Sequence, residues 1–316
     1  MTVAVAIVGT GIAGLAAARY LRERGIACTL FDKSRGLGGR MATRRVDTLH
    51  FDHGAQFFTA RSSRFAALVA QWRADGQAAP WFEDRFVGTP GMSAPARAML
   101  AGETVVGGCQ VMALHRGPQG WSVATAAGPV DTPANGAFAA VLLAVPAPQA
   151  RPLAAAVGAD FPDFARAVYA PCWTLMLGFD ASCGLAQDRI RRDEGAIAWV
   201  ARNASKPGRA PDREAVVVQA SPAWSRTYLE ATPEAVAPLL LDEFAAATGV
   251  AAAPGFVAAH RWRYALVETP AGQPCLWDAG LRLGACGDWC LDARVEAAFE
   301  SGEALAAAAA ATLGSG

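Results

Sequence analysis

The stretch Val3-Ala4-Val5-Ala6-Ile7-Val8-Gly9-Thr10-Gly11-Ile12-Ala13-Gly14 decides the fold. Val3 to Val8 is an unbroken apolar run, the pattern of a strand buried on both faces of a parallel sheet. Gly9 permits a tight turn after it. Gly11 lets the backbone approach a pyrophosphate, and Gly14 lets a helix pack closely on the strand. Ile12 and Ala13 then open a helix, whose free N–H groups and dipole favour an anion. Leu15, Ala18 and Leu21 share one face of that helix, Arg19, Arg22 and Arg24 lie elsewhere, and Gly25 stops it. Ala27 to Phe31 reads as a second strand ending at Asp32. That acid is placed to accept hydrogen bonds from ribose hydroxyls, and Lys33 follows it. A complete β-α-β unit of this kind implies dinucleotide binding.

Further along, Phe65 to Trp72 reads as a helix, and Val105-Val106, Val111 to Leu114 and Trp121 to Ala124 as short strands. Val141 to Val145 is another buried strand, stopped by Pro146-Ala147-Pro148. From there to Gly272 the texture changes, with several tryptophans and a polar loop at Ala204 to Arg213. Leu281 to Cys286 is a last strand, ended by Gly287-Asp288, and a helix from about Arg294 follows. The expected fold is α/β: a discontinuous Rossmann-like domain with a mixed α+β substrate domain. Residues 1–58, 90–150 and 273–316 are assigned to the cofactor domain, and 59–89 and 151–272 to the substrate domain.

The formal charge is zero over 316 residues, which argues against nucleic-acid or anionic-membrane partners. Oligomeric state is left open. Seven cysteines lack disulfide or zinc spacing, and His50, His53, His115 and His260 form no metal pattern, so no metal is expected. A reducing, cytoplasmic setting fits. The N-terminal strand has no basic segment before it, so no signal peptide is expected. The alanine run near Ala306 is too short to span a membrane.

Arg35-Gly36-Leu37-Gly38-Gly39-Arg40 follows the ribose acid directly. Gly38 and Gly39 can make a bare-backbone bend that frees Arg40 to reach a pyrophosphate. This run resembles the R-x-G-G-R element of the flavin amine-oxidase superfamily, which includes desaturases and protoporphyrinogen oxidases. Gly284-Ala285-Cys286-Gly287-Asp288, followed by Arg294-Val295-Glu296-Ala297-Ala298, resembles the C-terminal segment these flavoproteins bring under the ribityl chain. There Val295 would open the helix aimed at the flavin pyrimidine, and Ala297 stands where relatives usually have glycine.

The likeness extends along the chain. Phe51-Asp52-His53-Gly54-Ala55-Gln56-Phe57-Phe58-Thr59-Ala60-Arg61, Gly91-Met92-Ser93, Trp199-Val200-Ala201-Arg202-Asn203, Ser205-Lys206-Pro207-Gly208-Arg209, Trp224-Ser225-Arg226, His260-Arg261-Trp262-Arg263-Tyr264-Ala265 and Gly287-Asp288-Trp289-Cys290 resemble bacterial renalase-like flavoproteins. The segment between Trp81 and Val87 is shorter than in such relatives. The resemblance implies noncovalent FAD and oxidation of 1,2- and 1,6-dihydro isomers of NAD(P). Hydride would pass to flavin N5, then to dioxygen, giving hydrogen peroxide and NAD(P)+. It places Ala55 and Gln56 beside the flavin, Gln56 and Phe57 toward substrate, and Val111 on the strand that holds adenine. Trp199, Tyr264 and Trp289 become candidate walls for a flat ring, and Arg202 and Asn203 candidate substrate contacts; each has a packing or surface reading beside it. Rival readings are an amine oxidase, a desaturase and a non-catalytic sensor. Many amine oxidases of the superfamily place a lysine near flavin N5. Neither Lys33 nor Lys206 lies on a strand expected to reach it, so the amine reading comes second.

Overall fold

The computed structural model describes residues 4–126, 128–129, 137–209 and 213–314. Val3 therefore lies outside the described residues, as does part of the 204–213 loop. A six-stranded sheet is built from distant parts of the chain. Ala4–Val8 is central, with Ala27–Phe31 and then Thr104–Val106 on one side. On the other side lie Ala140–Leu143, Leu283–Ala285 and finally Leu276–Asp278. All pairings are parallel except the last, which is antiparallel. The first strand is buried throughout, as its continuous apolar run requires.

The helix Ile12–Arg22 packs on this sheet, and Gly25 at φ 73° ends the turn beyond it. The closing helix Val295–Gly314 lies directly against it. A Cβ on Gly302 would stand 2.1 Å from the Ala13 carbonyl oxygen, so only glycine allows the two backbones to meet there.

A second, antiparallel sheet runs Arg189–Arg191, Ile197–Arg202, Glu214–Ala220, Val168–Phe179, Phe256–Thr269. Its faces separate by strict alternation. Val216, Val218, Leu175 and Leu177 bury one face under the helix Pro233–Thr248. Met176, Ala215 and Val217 on the other face hold Leu49 and Phe51. These two residues belong to a hairpin, Arg44–Val46 with Leu49–Phe51. The hairpin thus carries the chain from the first sheet onto the second, and residues 52–57 run between them.

The 59–89 segment divides differently from its expected place in the substrate domain. Its helix, Ser63–Ala74, buries Phe65, Leu68, Val69 and Trp72 in the same cluster as the first and closing helices. The reason is the buried Glu296. Its carboxylate accepts the Arg61 and Ser62 backbone N–H groups at 2.8 and 2.6 Å, tying the start of that helix to the closing one. Only the hairpin beyond it, Ala78–Phe82 with Arg85–Gly88, reaches toward the second sheet. Among the described residues no helix is long and apolar enough to cross a membrane.

Candidate cofactor cradle and active site

The glycine fingerprint has the geometry its spacing predicts. Gly9 takes φ 111°, and a Cβ there would meet the Ala144 carbonyl oxygen at 2.4 Å. A Cβ on Gly14 would meet the Gly9 carbonyl oxygen at 2.0 Å. Gly11 is different: nothing lies within 4 Å of its Cβ position, so a hydrogen-bonding space is left open before the first helix. The Asp32 carboxylate is fixed from three sides. Thr10 donates to Oδ2 from its N–H (2.8 Å) and its hydroxyl (2.6 Å), and the Ser34 N–H donates to Oδ1 at 2.8 Å. Lys33 beside it is exposed. Gly108 and Cys109 donate their N–H groups to the Ser34 and Asp32 carbonyls, just before the Val111–Gly117 strand.

Gly38 and Gly39 make the expected bend, at φ 99° and 54°. Arg40 does not reach freely into the cradle. It makes a two-pronged bond to Asp288, at 2.7 and 2.6 Å, and donates to the Ala265 carbonyl at 3.1 Å. The fork geometry of guanidinium and carboxylate explains the preference. Arg40 therefore ties the second cofactor segment to the third. Gly287 is equally confined, its N–H donating to Ser301 and its Cβ position only 2.5 Å from the Trp289 ring. Val295 opens the closing helix, and Ala297 is wholly buried there. Burial raises the Cys290 thiol to about 12, which makes it a poor nucleophile.

Gly54-Ala55-Gln56 runs between the sheets and is held from both. The Ala55 N–H donates to the Arg40 carbonyl at 2.8 Å. Gln219 donates to the Gly54 carbonyl at 2.7 Å, and Trp262 to the His53 carbonyl at 2.7 Å. A Cβ on Gly54 would lie 2.0 Å from the Arg40 carbonyl oxygen, so the run is pressed against the cofactor bend.

Under it lies a charge cluster that spacing in the sequence does not reveal. Asp52 is wholly buried and accepts from Arg209 (2.6 Å), Lys206 (3.2 Å), Thr43 (2.7 Å) and the Met92 N–H (3.0 Å). Burial opposes its charge, but the two cations outweigh that and hold the carboxyl well below its usual range. Lys206 is also fully buried; its Nζ donates to the Gln56 side chain at 3.1 Å and lies 5.2 Å from the centre of the Trp81 ring. Burial lowers its ammonium to about 8, with Asp52 opposing the drop. The loop lysine set aside on sequence grounds is thus a direct neighbour of Gln56. Its advance signal was the run Ser205-Lys206-Pro207-Gly208-Arg209, one of those resembling renalase-like flavoproteins.

Beside Gln56, Phe57, Phe82 and Trp199 form a three-ring group. Phe57 lies 5.8 Å from Trp199 and 5.6 Å from Phe82, and Phe82 lies near-parallel to Trp199 at 6.5 Å. Phe82 comes from the short 81–87 segment, so that segment supplies a wall. The Trp199 indole N–H is buried and has no partner among the described residues. Arg85 and Arg189 stack on the group: Arg189 over Phe82 at 3.8 Å, Arg85 over Phe57 and Phe82 at 5.6 Å.

Three expected substrate contacts lie elsewhere. Trp289 is wholly buried in the apolar core, its N–H donating to the Val145 carbonyl at 3.2 Å, so it walls no open site. Arg202 stands across the sheet from Trp199, because it follows at an odd offset along a strand. There it binds Glu214 at 2.5 Å and Asp188 at 3.4 Å. Asn203 is buried, and its side-chain amide donates to the His50 carbonyl at 2.7 Å, which fixes the hairpin. Tyr264 packs edge-on against Tyr169, next to the Ala265 carbonyl that binds Arg40.

Residues 66–310 match the model of the flavin containing amine oxidoreductases, and residues 7–72 that of an NAD(P)-binding Rossmann-like domain. The chain belongs to the flavin-containing amine oxidoreductase family. Its cofactor is FAD. The open space at Gly11, the fixed Asp32 and the Gly38-Gly39 bend fit that group. Among solved structures, a protein provisionally described as a protoporphyrinogen oxidase, from Exiguobacterium sp. 255-15, superposes with a TM-score of 0.77 at 14% identity, over 99% of both chains. Cyclohexylamine oxidase from Brevibacterium oxydans IH-35A gives 0.68 at 13% identity, over 99% of this chain and 100% of that one. These likenesses show the fold. A carotenoid phi-ring synthase from Streptomyces griseus is 59% identical over 39 residues, 12% of this chain and 8% of that protein. A carotenoid 3,4-desaturase from Haloarcula japonica is 43% identical over 54 residues, 17% and 11% of the two chains. The matched stretches therefore span about a tenth of these curated relatives.

Proposed function

We propose that this flavoprotein oxidises the 1,2- and 1,6-dihydro isomers of nicotinamide nucleotides, reducing dioxygen to hydrogen peroxide and releasing NAD(P)+. The observation that carries the reading is the ring group beside Gln56. Phe57, Phe82 and Trp199 offer flat apolar surface, and the Trp199 N–H is a buried donor without an acceptor. A nicotinamide presents a flat ring and a carboxamide oxygen, which suit both. The choice of isomer rests on the chain-wide resemblance to renalase-like flavoproteins.

Bound FAD supplies a two-electron acceptor at N5. The protein's part is placement. The hydrogen bonds on Gly54 and Ala55 fix the floor of the site, and the bonds of Gln56 to the Asp52 and Gly54 carbonyls (2.6 and 3.0 Å) hold its amide still. A hydride donor needs no general base. Arg189, stacked on Phe82 with no carboxylate partner among the described residues, puts an uncompensated positive charge beside the group, which disfavours a cationic amine and favours a substrate with phosphates.

One observation favours amine oxidation as a second reading: the buried Lys206 beside Gln56. Aerobic turnover separates the two. The dihydro isomers should yield NAD(P)+ and hydrogen peroxide one to one, while putrescine and cyclohexylamine yield no peroxide. Peroxide from an amine, with none from the isomers, would replace the first reading by the second.

A further inference from the structure

Arg189 stands out among the arginines around the ring group. It pairs in register with Ala201, two residues from Trp199, so both side chains leave the same face of the sheet. Its guanidinium carbon lies over the Phe82 ring, 3.8 Å from the ring centre. Among the described residues it has no carboxylate partner. Its neighbours do: Arg191 pairs with Asp193, Arg202 with Asp188 and Glu214, and Arg85 with Glu83 and Asp84 at the hairpin turn. Stacking occupies one face of a guanidinium and leaves its in-plane N–H donors unspent. Arg85 adds a second unspent donor, since its Nε is buried without an acceptor.

We infer that Arg189, assisted by Arg85 Nε, is the subsite for the phosphate groups of the substrate, reading phosphate where the three rings read the nicotinamide. The inference rests on the nucleotide reading of the ring group and adds a residue-level determinant to it. In-plane guanidinium donors and phosphate oxygens match as a two-pronged pair. The stacked ring holds the fork in place before the ligand arrives, so less side-chain freedom is lost on binding. The hairpin that brings Phe82 and Arg85 is the short segment, which couples its length to phosphate recognition.

The experiment has two arms on the FAD-loaded protein. In the first, ADP-ribose, which has the phosphates but no nicotinamide, is titrated calorimetrically into wild type, Arg189→Ala and Arg191→Ala. Arg189→Ala should weaken binding by about tenfold or more, the order of one charge-assisted bond. Arg191→Ala, on the same strand and already paired, should bind as wild type does. In the second, anaerobic flavin reduction is followed with 1,2-dihydronicotinamide mononucleotide and with the corresponding riboside, which lacks phosphate. Arg189→Ala should slow the mononucleotide in kcat/KM by about tenfold or more beyond whatever change it causes with the riboside.

Equal losses for the two donors, or ADP-ribose affinity unaltered by Arg189→Ala, would overturn the inference. Arg189 would then only shield Phe82 from water. If neither donor reduces the wild-type flavin, the proposed function fails. The ADP-ribose arm still decides on Arg189, because it needs no turnover.

Discussion

The cofactor cradle and the ring-lined site beside it are built from different materials. The cradle is made of backbone. Its key positions are glycines whose missing Cβ atoms let chains approach, and an ion pair, Arg40 with Asp288, joins two of the segments. The site is made of side chains supplied by three separate stretches: Gln56 and Phe57, the 78–88 hairpin, and the second sheet with its 203–209 loop. Beneath it, one buried carboxylate is opposed by two buried cations. A backbone cradle fails by collision. A side-chain cage fails by loss of charge balance. The two regions should therefore break in different ways.

The largest effect belongs to the cage. Asp52→Leu leaves Lys206 and Arg209 buried without their counter-charge, a change that costs about 3–5 kcal/mol. Urea unfolding should show that loss, or the variant should fail to accumulate. Gly14→Ala comes next. Its methyl would enter the Gly9 carbonyl, which is backbone and cannot turn aside. The protein should purify with little flavin, read from the ratio of yellow absorbance to protein absorbance.

A smaller effect links the two regions through His53. Burial, aided by neighbouring His260, lowers its imidazole to about 4. The unfolded chain takes up this proton as pH falls through 6.5, while the folded chain resists until about 4. The His53 contribution is thus fully present above 6.5 and is lost between 6.5 and 4, by up to ~3 kcal/mol. His53→Asn should flatten the fall in urea midpoint between pH 7 and pH 5. The smallest effect is expected at Glu230, whose bonds to Arg263 are exposed. Glu230→Ala should leave the melting temperature unchanged.

The same contrast explains what could be read in advance. Gly9, Gly11, Gly14 and Asp32 act locally, within one β-α-β unit, so their spacing carries their geometry. The second strand was legible to the residue, as Ala27–Phe31. Arg40 was legible as a cofactor-segment residue but not as the partner of Asp288, because that bond spans 248 positions. The burial of Lys206 beside Asp52 and Gln56 was not legible, because those bonds span 154 and 150 positions. Trp289 looked like a wall because tryptophans serve as both wall and core, and only packing distinguishes them. Arg202 was misplaced by a single position: Trp199 and Arg202 share a strand, but an odd offset sends them to opposite faces.

The most direct test of the proposed chemistry is anaerobic stopped-flow mixing of the FAD-loaded protein with 1,2- and 1,6-dihydro-NAD(P), ordinary NADH and an amine panel. Rapid flavin bleaching by the two isomers is expected, with NAD(P)+ formed and no comparable bleaching by NADH or amines. Bleaching by an amine, with the isomers inert, would contradict it.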